Sequence, residues 1–351
     1  MTGIRTASPA AGGRVMVAMS GGVDSAVAAA LLASRGLEVA GVFMLIAPED
    51  GPQQAEPAQR LARRLGLPLV VVDLRAEFKQ RVLDYFVSSY RRGRTPNPCL
   101  VCNRTIKFGL LRETAQGLGF PVLATGHYAR VEPGQDGLIR LLAGLDAGKD
   151  QSYFLAGLTQ GHLAGLELPL GGMSKAKVRR RAEEMGLSGL HGPESQDVCF
   201  LKGREMADFF ADSPCPPGEF VTLSGEGRGW HRGLCHYTVG QRRGLGIPDV
   251  TPFYVVALDA ARNQVLIGKE SDLWREALAV AEMNWVSGQE PFLPQEFMVK
   301  IRYRHRPAVA VVSRGAGGLQ IRFAEPQRAV TPGQFAVLYR EDEVVGGGEI
   351  I

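Results

Sequence analysis

The run Ser20-Gly21-Gly22-Val23-Asp24-Ser25 lies between an apolar stretch, Arg14 to Met19, and an Ala-, Val- and Leu-rich stretch, Asp24 to Ser34. A buried strand, a glycine turn and a helix are therefore expected in immediate succession. Backbone N–H groups at such a turn, reinforced by the positive end of the helix, form a concavity suited to phosphate. Ser20 and Ser25 add hydroxyls. Asp24 is misplaced for holding an anion directly, and is read as a ligand for a magnesium ion that bridges phosphates. A plain tight turn with an Asp/Ser cap is the simpler alternative, but the complete pattern at a strand–helix junction favours phosphate. The Gly-Lys-Ser/Thr ending of a Walker loop is missing.

The same alternation continues. Glu38 to Ile46 and Leu69 to Asp73 read as strands and Val122 to Thr125 as a fourth. Between them Ala55 to Leu65, Arg75 to Tyr90 and Arg104 to Gln116 read as helices. Strands interleaved with helices predict an α/β fold with a doubly wound parallel sheet, whose ligands sit at the carboxyl ends of the strands. After Asp212 the pattern changes. Pro214, Pro216, Pro217 and Gly218 break the chain, and short β-like runs follow: Phe253 to Leu258, Gln264 to Ile267, Phe297 to Tyr303, Ala308 to Val312, Leu319 to Phe323 and Phe335 to Tyr339. Two smaller β-rich units are expected there. The organisation read from the sequence is a disordered tail over 1–13, an α/β domain over 14–212, a small central β-rich domain over 213–272 and a C-terminal β-barrel over 273–351. The tail has no apolar core or cleavage site of a secretory signal. No apolar run approaches the roughly 20 residues of a membrane span.

Lys plus Arg, 40, against Asp plus Glu, 36, leaves only +4, so overall charge says little about a nucleic-acid partner. Three local clusters say more: Arg91, Arg92 and Arg94; Lys175, Lys177 and Arg179 to Arg181; Arg302, Arg304, His305 and Arg306. Such patches neutralise phosphates, although each also reads as a solvated face. Five cysteines are few and odd in number, which suits a reducing cytoplasm and reactive or metal-binding thiols better than a disulfide framework.

Cys99 and Cys102 lie in Thr95-Pro96-Asn97-Pro98-Cys99-Leu100-Val101-Cys102-Asn103-Arg104. The prolines stiffen the approach, and Asn103 or a neighbour is placed to cap a following helix. A thiol just before a helix and beside Arg104 and Lys107 is expected to ionise more readily than a free one. Cys199 lies in Glu194-Ser195-Gln196-Asp197-Val198-Cys199-Phe200, polar before it and apolar after, as at the mouth of a pocket. Cys215 and Cys235 carry no evident role.

The glycine loop resembles the PP-loop of the N-type ATP pyrophosphatases, which implies cleavage of ATP between its α and β phosphates. With the Thr-Pro-Asn-Pro segment, Ala124-Thr125-Gly126-His127-Tyr128-Ala129-Arg130, Lys149-Asp150-Gln151-Ser152-Tyr153-Phe154, Ser195-Gln196-Asp197-Val198-Cys199-Phe200, His236-Tyr237-Thr238-Val239-Gly240-Gln241-Arg242, Arg302-Tyr303-Arg304 and Thr331-Pro332-Gly333-Gln334 in order, the chain resembles the bacterial tRNA-specific 2-thiouridylases from about Arg14 to Leu338. The resemblance implies ATP and magnesium as cofactors and tRNAs for lysine, glutamate and glutamine as substrates. It also implies sulfur from a cysteine desulfurase or relay protein, and a cytoplasmic location.

Carried over, the resemblance implies an ATP site of Ala18, Met19, Ser20, Gly21, Gly22, Val23, Asp24 and Ser25 with Met44 and Gly126. Its implied tRNA contacts are His127, Lys149, Asp150, Gln151, Arg302, Tyr303 and Gln334. Cys199 is similar to the residue that carries a persulfide and Cys102 to the nucleophile that attacks it. Plainer alternatives are a core methionine for Met44, a satisfied loop histidine for His127 and strand surface for Tyr303. The chain departs from the pattern at Cys99, where many relatives have aspartate. Cys99, Cys102 and Cys199 therefore also suit three ligands of a 4Fe–4S cluster whose fourth iron binds hydrosulfide, and at this point persulfide and cluster remain alternatives. The segment Ala47 to Gln54 is short beside the family's usual loop.

Overall fold

In the computed structural model, residues 12–47, 50–187, 189, 198–201, 205–211, 214–315 and 317–351 are described. The expected tail lies almost wholly outside them, as do Glu194 to Asp197 and part of the Ala47 to Gln54 segment.

The first sheet is parallel throughout. Its strands are β1 (Arg14–Ala18), β2 (Glu38–Leu45), β3 (Leu69–Asp73), β4 (Val122–Ala124) and, further on, Leu166–Glu167, in spatial order β3-β2-β1-β4 with the last strand outside β4. Val15, Met16 and Val17 of β1 are fully buried, as expected of a central strand covered on both faces. Helix α1 (Val23–Ser34) presents Ala26, Val27, Ala28, Ala29 and Leu32 to one cluster with Val15 and Val17. The opposite cluster joins Met16 of β1 to Phe78, Val82, Phe86, Ile106 and Phe108 from helices on the other face. The doubly wound fold predicted from the alternation is the observed one.

Two strands, β5 (Ala129–Pro133) and β6 (Ile139–Ala143), form a hairpin that the sequence reading missed. Instead of joining the parallel sheet, the hairpin pairs with the last strand of the chain. The central unit is a four-stranded sheet built from β8 (Gly218–Thr222), β9 (Gly227–His231), β10 (Tyr254–Asp259) and β11 (Gln264–Gly268), taking the short Leu166–Glu167 strand as β7. Its core is Phe220, Leu234, Tyr237, Val255, Val265 and Ile267.

The C-terminal unit comprises β12 (Trp274–Trp285), β13 (Gln295–Lys300), β14 (Ala308–Gly315), β15 (Gly318–Arg328), β16 (Phe335–Arg340) and β17 (Glu343–Ile350). Pairing of β12 with both β15 and β17 closes it into an antiparallel barrel. Alternate residues fill the interior, Leu278 and Val280, Phe297 and Val299, Leu319, Ile321 and Phe323, as strand periodicity requires. Glu343 of β17 pairs with Leu142 of β6, so the barrel edge continues into the α/β region.

Candidate active site

The glycine turn sits where the strand order reverses, at the carboxyl end of β1 between β2 and β4. Met19 N–H donates to Val42 O at 2.8 Å, which ends the strand against its neighbour. Gly21 then takes φ +77°, and a Cβ there would lie 2.7 Å from Pro57 Cβ at the start of α2 (Glu56–Arg64). Only glycine suits both the dihedral and the space. Ser25 is turned inward: its hydroxyl donates to Gly22 O at 2.9 Å and accepts from Ser20 N–H at 3.3 Å. Ser25 thus braces the loop, while Ser20 remains exposed. No side chain caps α1 at Gly22, which leaves its first N–H groups to face an incoming anion. Gly126 follows β4 and touches this helix start, since a Cβ on it would come 3.0 Å from Asp24 C and Ser25 N. Ala18 and Met44 lie at or near the ends of β1 and β2, and both pack against the cluster that contains Cys102. The ATP-site residues implied by resemblance are therefore brought together around one helix terminus.

Asp24 accepts hydrogen bonds from Lys175 Nζ at 2.8 Å on each carboxylate oxygen and from the Tyr128 hydroxyl at 2.9 Å. In the sequence Lys175 reads only as one member of a basic cluster. Nothing in its local pattern signals a partner 151 positions away, and the contact depends on helix Lys175–Glu184 packing beside α1. A cation already sits opposite Asp24, so this carboxylate suits a positive charge at the loop. That fits the oxygen chemistry of a magnesium site.

The cysteine segment differs from expectation. The helix begins at Pro98, and Cys99 and Cys102 are inside it (Pro98–Cys102), running on into a wide π-type stretch, Asn103–Leu110. Asn103 is therefore not a cap; its side-chain amide donates to Phe154 O at 3.0 Å. The thiols do not ionise readily either. Burial pushes Cys99 up to about 11 and Cys102 up to about 12, and the nearby Lys107 ammonium offsets only part of this. Desolvation outweighs the neighbouring charge because Cys102 packs among Leu100, Ile106 and Phe108. Cys199 is exposed and close enough for its charge to act on both. It is anchored by Phe200, whose ring meets Phe78, Phe86 and Phe209 at 5.3–5.6 Å. The three cysteines are neighbours. Among the described residues no three His, Cys, Asp or Glu side chains are gathered as a metal site.

The residues implied as RNA contacts are scattered, and most are engaged internally. His127 Nδ1 pairs with Thr125 Oγ1 at 2.7 Å, and burial holds its ring neutral. Asp150 accepts from Gly144 N–H, Ser152 N–H and the Ser152 hydroxyl. Gln151 Oε1 accepts from Tyr128 N–H at 3.0 Å. Lys149 is half-buried beside them. The expected strand through Tyr303 stops at Lys300, so Arg302 and Tyr303 lie in a turn. The Arg302 guanidinium donates to Val239 O, Ala329 O and Thr331 Oγ1. Tyr303 stacks obliquely on Phe154 at 4.5 Å. Gln334 Nε2 donates to Thr95 O at 2.9 Å and Pro96 O at 3.3 Å, and Thr95 N–H donates to Pro332 O. The barrel thereby holds the loop that leads into the cysteine helix. Gln151 and Tyr303 both meet Phe154, whereas Gln334 bonds the loop before the cysteine helix.

Three family models match in succession: tRNA methyl transferase HUP domain over 13–203, tRNA methyl transferase PRC-barrel domain over 208–269 and Aminomethyltransferase beta-barrel domain over 275–350. The tRNA-specific 2-thiouridylase MnmA of Geobacter metallireducens is 46% identical over 96% of this chain and 96% of its own length. That of Heliobacterium modesticaldum is 44% identical over 96% and 92%. A solved 4-thiouridine synthetase–RNA complex with bound ATP is 22% identical, with a TM-score of 0.36 over 53% of this chain and 44% of that one. The chain belongs to the tRNA-specific 2-thiouridylase family.

Proposed function

We propose that the chain is an ATP-dependent tRNA-uridine 2-sulfurtransferase that adenylates the C2 oxygen of a wobble uridine and replaces it with sulfur carried on Cys199. The observation that carries this reading is a shared floor. Ala18 and Met44 beside the phosphate turn, Cys102, and Phe200 next to Cys199 all belong to or pack on one apolar cluster. Energy source and thiols thus border the same region.

A uracil C2 carbonyl is a poor electrophile and its oxygen a poor leaving group. In the first step that oxygen attacks the α-phosphorus, the bond to the bridging β-oxygen breaks, pyrophosphate leaves and the N3 proton is lost to solvent. The α1 N-terminus and the glycine turn stabilise the phosphate charge. When bound, magnesium supplies charge neutralisation at the phosphates, held by Asp24. The terminal sulfur of a Cys199 persulfide then attacks C2, and AMP carries the oxygen away. Cys102 attacks Cys199 Sγ and the sulfur–sulfur bond breaks toward the base. 2-Thiouridine and a Cys102–Cys199 disulfide remain, to be reduced by an external thiol. Burial keeps Cys102 protonated at rest, so it attacks only once it loses its proton.

The uridine must leave its stack to reach a site set against the sheet. The substrates are proposed to be tRNAs for lysine, glutamate and glutamine, and the sulfur donor a cysteine desulfurase or relay protein. Among the described residues no helix is long and apolar enough to cross a membrane, and a cytoplasmic site of action agrees with a tRNA substrate. Incubation of the protein with ATP, tRNA and a persulfide donor, followed by nucleoside mass spectrometry, should yield 2-thiouridine. No product from the unsubstituted chain would sink the reading.

A further inference from the structure

Two thiols outside the candidate active site face each other in the central unit. Cys215 lies on the Pro-rich stretch that enters β8, and Cys235 on the short turn Leu234–His236. Gly233 brings the two segments together. It takes φ +118°, and a Cβ there would lie 2.5 Å from Cys215 O and 2.8 Å from Cys215 Cβ. Only glycine lets the turn press this closely on the stretch. The Cys215 thiol is within hydrogen-bonding reach of the Cys235 thiol.

Both backbones are held from outside the pair. Asn263 Nδ2 donates to Pro217 O at 2.8 Å and to Pro216 O at 3.3 Å, which fixes the residues after Cys215. Gly233 N–H donates to His231 Nδ1 at 3.0 Å, which fixes the approach to Cys235. Since Nδ1 accepts, His231 Nε2 carries the proton, and it donates to Asn263 O at 3.1 Å. The two clamps are thus tied to each other. Thiols placed in this way can be bridged with little backbone movement, which is the main geometric demand of a disulfide. They are also unequal. Cys215 is partly exposed and Cys235 is buried, the arrangement of an accessible thiol with a resolving thiol behind it.

We propose that Cys215 and Cys235 form a reversible oxidative-modification site, which reacts with a low-molecular-weight disulfide and closes to an intramolecular bridge. The Cys215 thiolate attacks one sulfur of the small disulfide, whose S–S bond breaks and releases one small thiol. Cys235 then attacks Cys215 Sγ, and the second small thiol leaves. Two cysteine thiols are oxidised, the small disulfide is reduced to two thiols, and the cysteine protons end on them. Burial and the adjoining Cys215 push the Cys235 thiol above its ordinary range, which leaves the first attack to Cys215. The bridge straps the Pro-rich stretch onto a turn close to Thr238, which hydrogen-bonds Tyr90 and meets Thr95 before the cysteine helix.

The full chain is equilibrated without oxygen in mixtures of oxidised and reduced glutathione. Free thiols are then blocked with iodoacetamide, and tryptic peptides are mapped by mass spectrometry without reduction. Cleavage at Arg228 and Arg232 separates the two cysteines. In the oxidising mixtures the peptide carrying Cys215 should be recovered linked to that carrying Cys235. Closing the bridge should raise Tm by about 5 °C, and dithiothreitol should reverse the gain. In Cys235→Ser, which lacks the resolving thiol, Cys215 should instead retain one glutathione. If that variant does not fold, Cys235→Ala carries the same comparison. Both residues alkylated in the most oxidising mixture, or Cys215 still bearing glutathione in the unsubstituted chain, overturns the proposal.

Discussion

The glycine turn, flanked by Ala18 and Met44, which pack on the apolar cluster of Cys102, and the cysteine helix are held in different ways. The turn is braced mainly from within a few residues, by Ser25 to Gly22 and Ser20 and by a glycine in the left-handed region. The cysteine helix is held from far away. Gln334 and Pro332 of the barrel grip Thr95 and Pro96, Thr238 of the central unit meets Thr95 at 3.2 Å, and Phe154 O holds Asn103. The first is a local device that works wherever a strand feeds a helix. The second exists only when all three units are assembled.

Substitutions should separate the two regions. The largest effect is expected from Cys199→Ser, which should lower 2-thiouridine formation by at least about 1000-fold, since a serine cannot carry a persulfide. ATP affinity should stay within twofold, because the cysteine lies outside the turn. A thiolation rate equal to that of the unsubstituted chain would remove Cys199 from the mechanism.

Next comes pH. Burial holds the folded Cys102 pKa at about 12, above its ordinary value of 9.0, so the protonated thiol is the favoured form at neutral pH. Where attack by its thiolate limits the rate, thiolation at saturating ATP and tRNA should rise about tenfold per pH unit between pH 6.5 and 8.5. Lys107 lowers this pKa, so Lys107→Met should slow the reaction at every pH in that window. A flat profile in single-turnover assays would place the limiting step elsewhere.

Gly21→Ala acts on the other region. The new methyl would sit at φ +77° and 2.7 Å from Pro57 Cβ, a strain of order 1–3 kcal/mol. ATP affinity should fall at least roughly tenfold, while alkylation of Cys199 by iodoacetamide continues at its original rate; loss of both together would mean the regions are not independent.

The smallest effect is expected from Gln334→Ala. It frees two carbonyls of the cysteine loop and should cost about 1–2 kcal/mol, read as a few degrees in Tm and a several-fold loss of thiolation with ATP affinity intact. A raised KM for tRNA with unchanged Tm would instead mean that Gln334 serves the RNA and not the loop.

Much of the α/β region was legible because its signals are short-range. The run Leu69 to Asp73 is a strand at the bounds its apolar residues predicted, and the glycine turn is where its flanking elements placed it. The β5–β6 hairpin was not legible, since its pairing partner lies some 200 positions later in β17. Tyr303 closes the run Phe297 to Tyr303 that reads as strand; the strand ends at Lys300, and Arg302 bonds carbonyls from 63 and 27 positions away.

By itself the sequence determined the strand–turn–helix unit and the order of its motifs, because φ preferences and strand and helix periods are properties of a few adjacent residues. Only the tertiary structure decided that Cys102 is a buried, protonated thiol and that Lys175 faces Asp24. Desolvation and ion pairing depend on what the rest of the chain packs around a group.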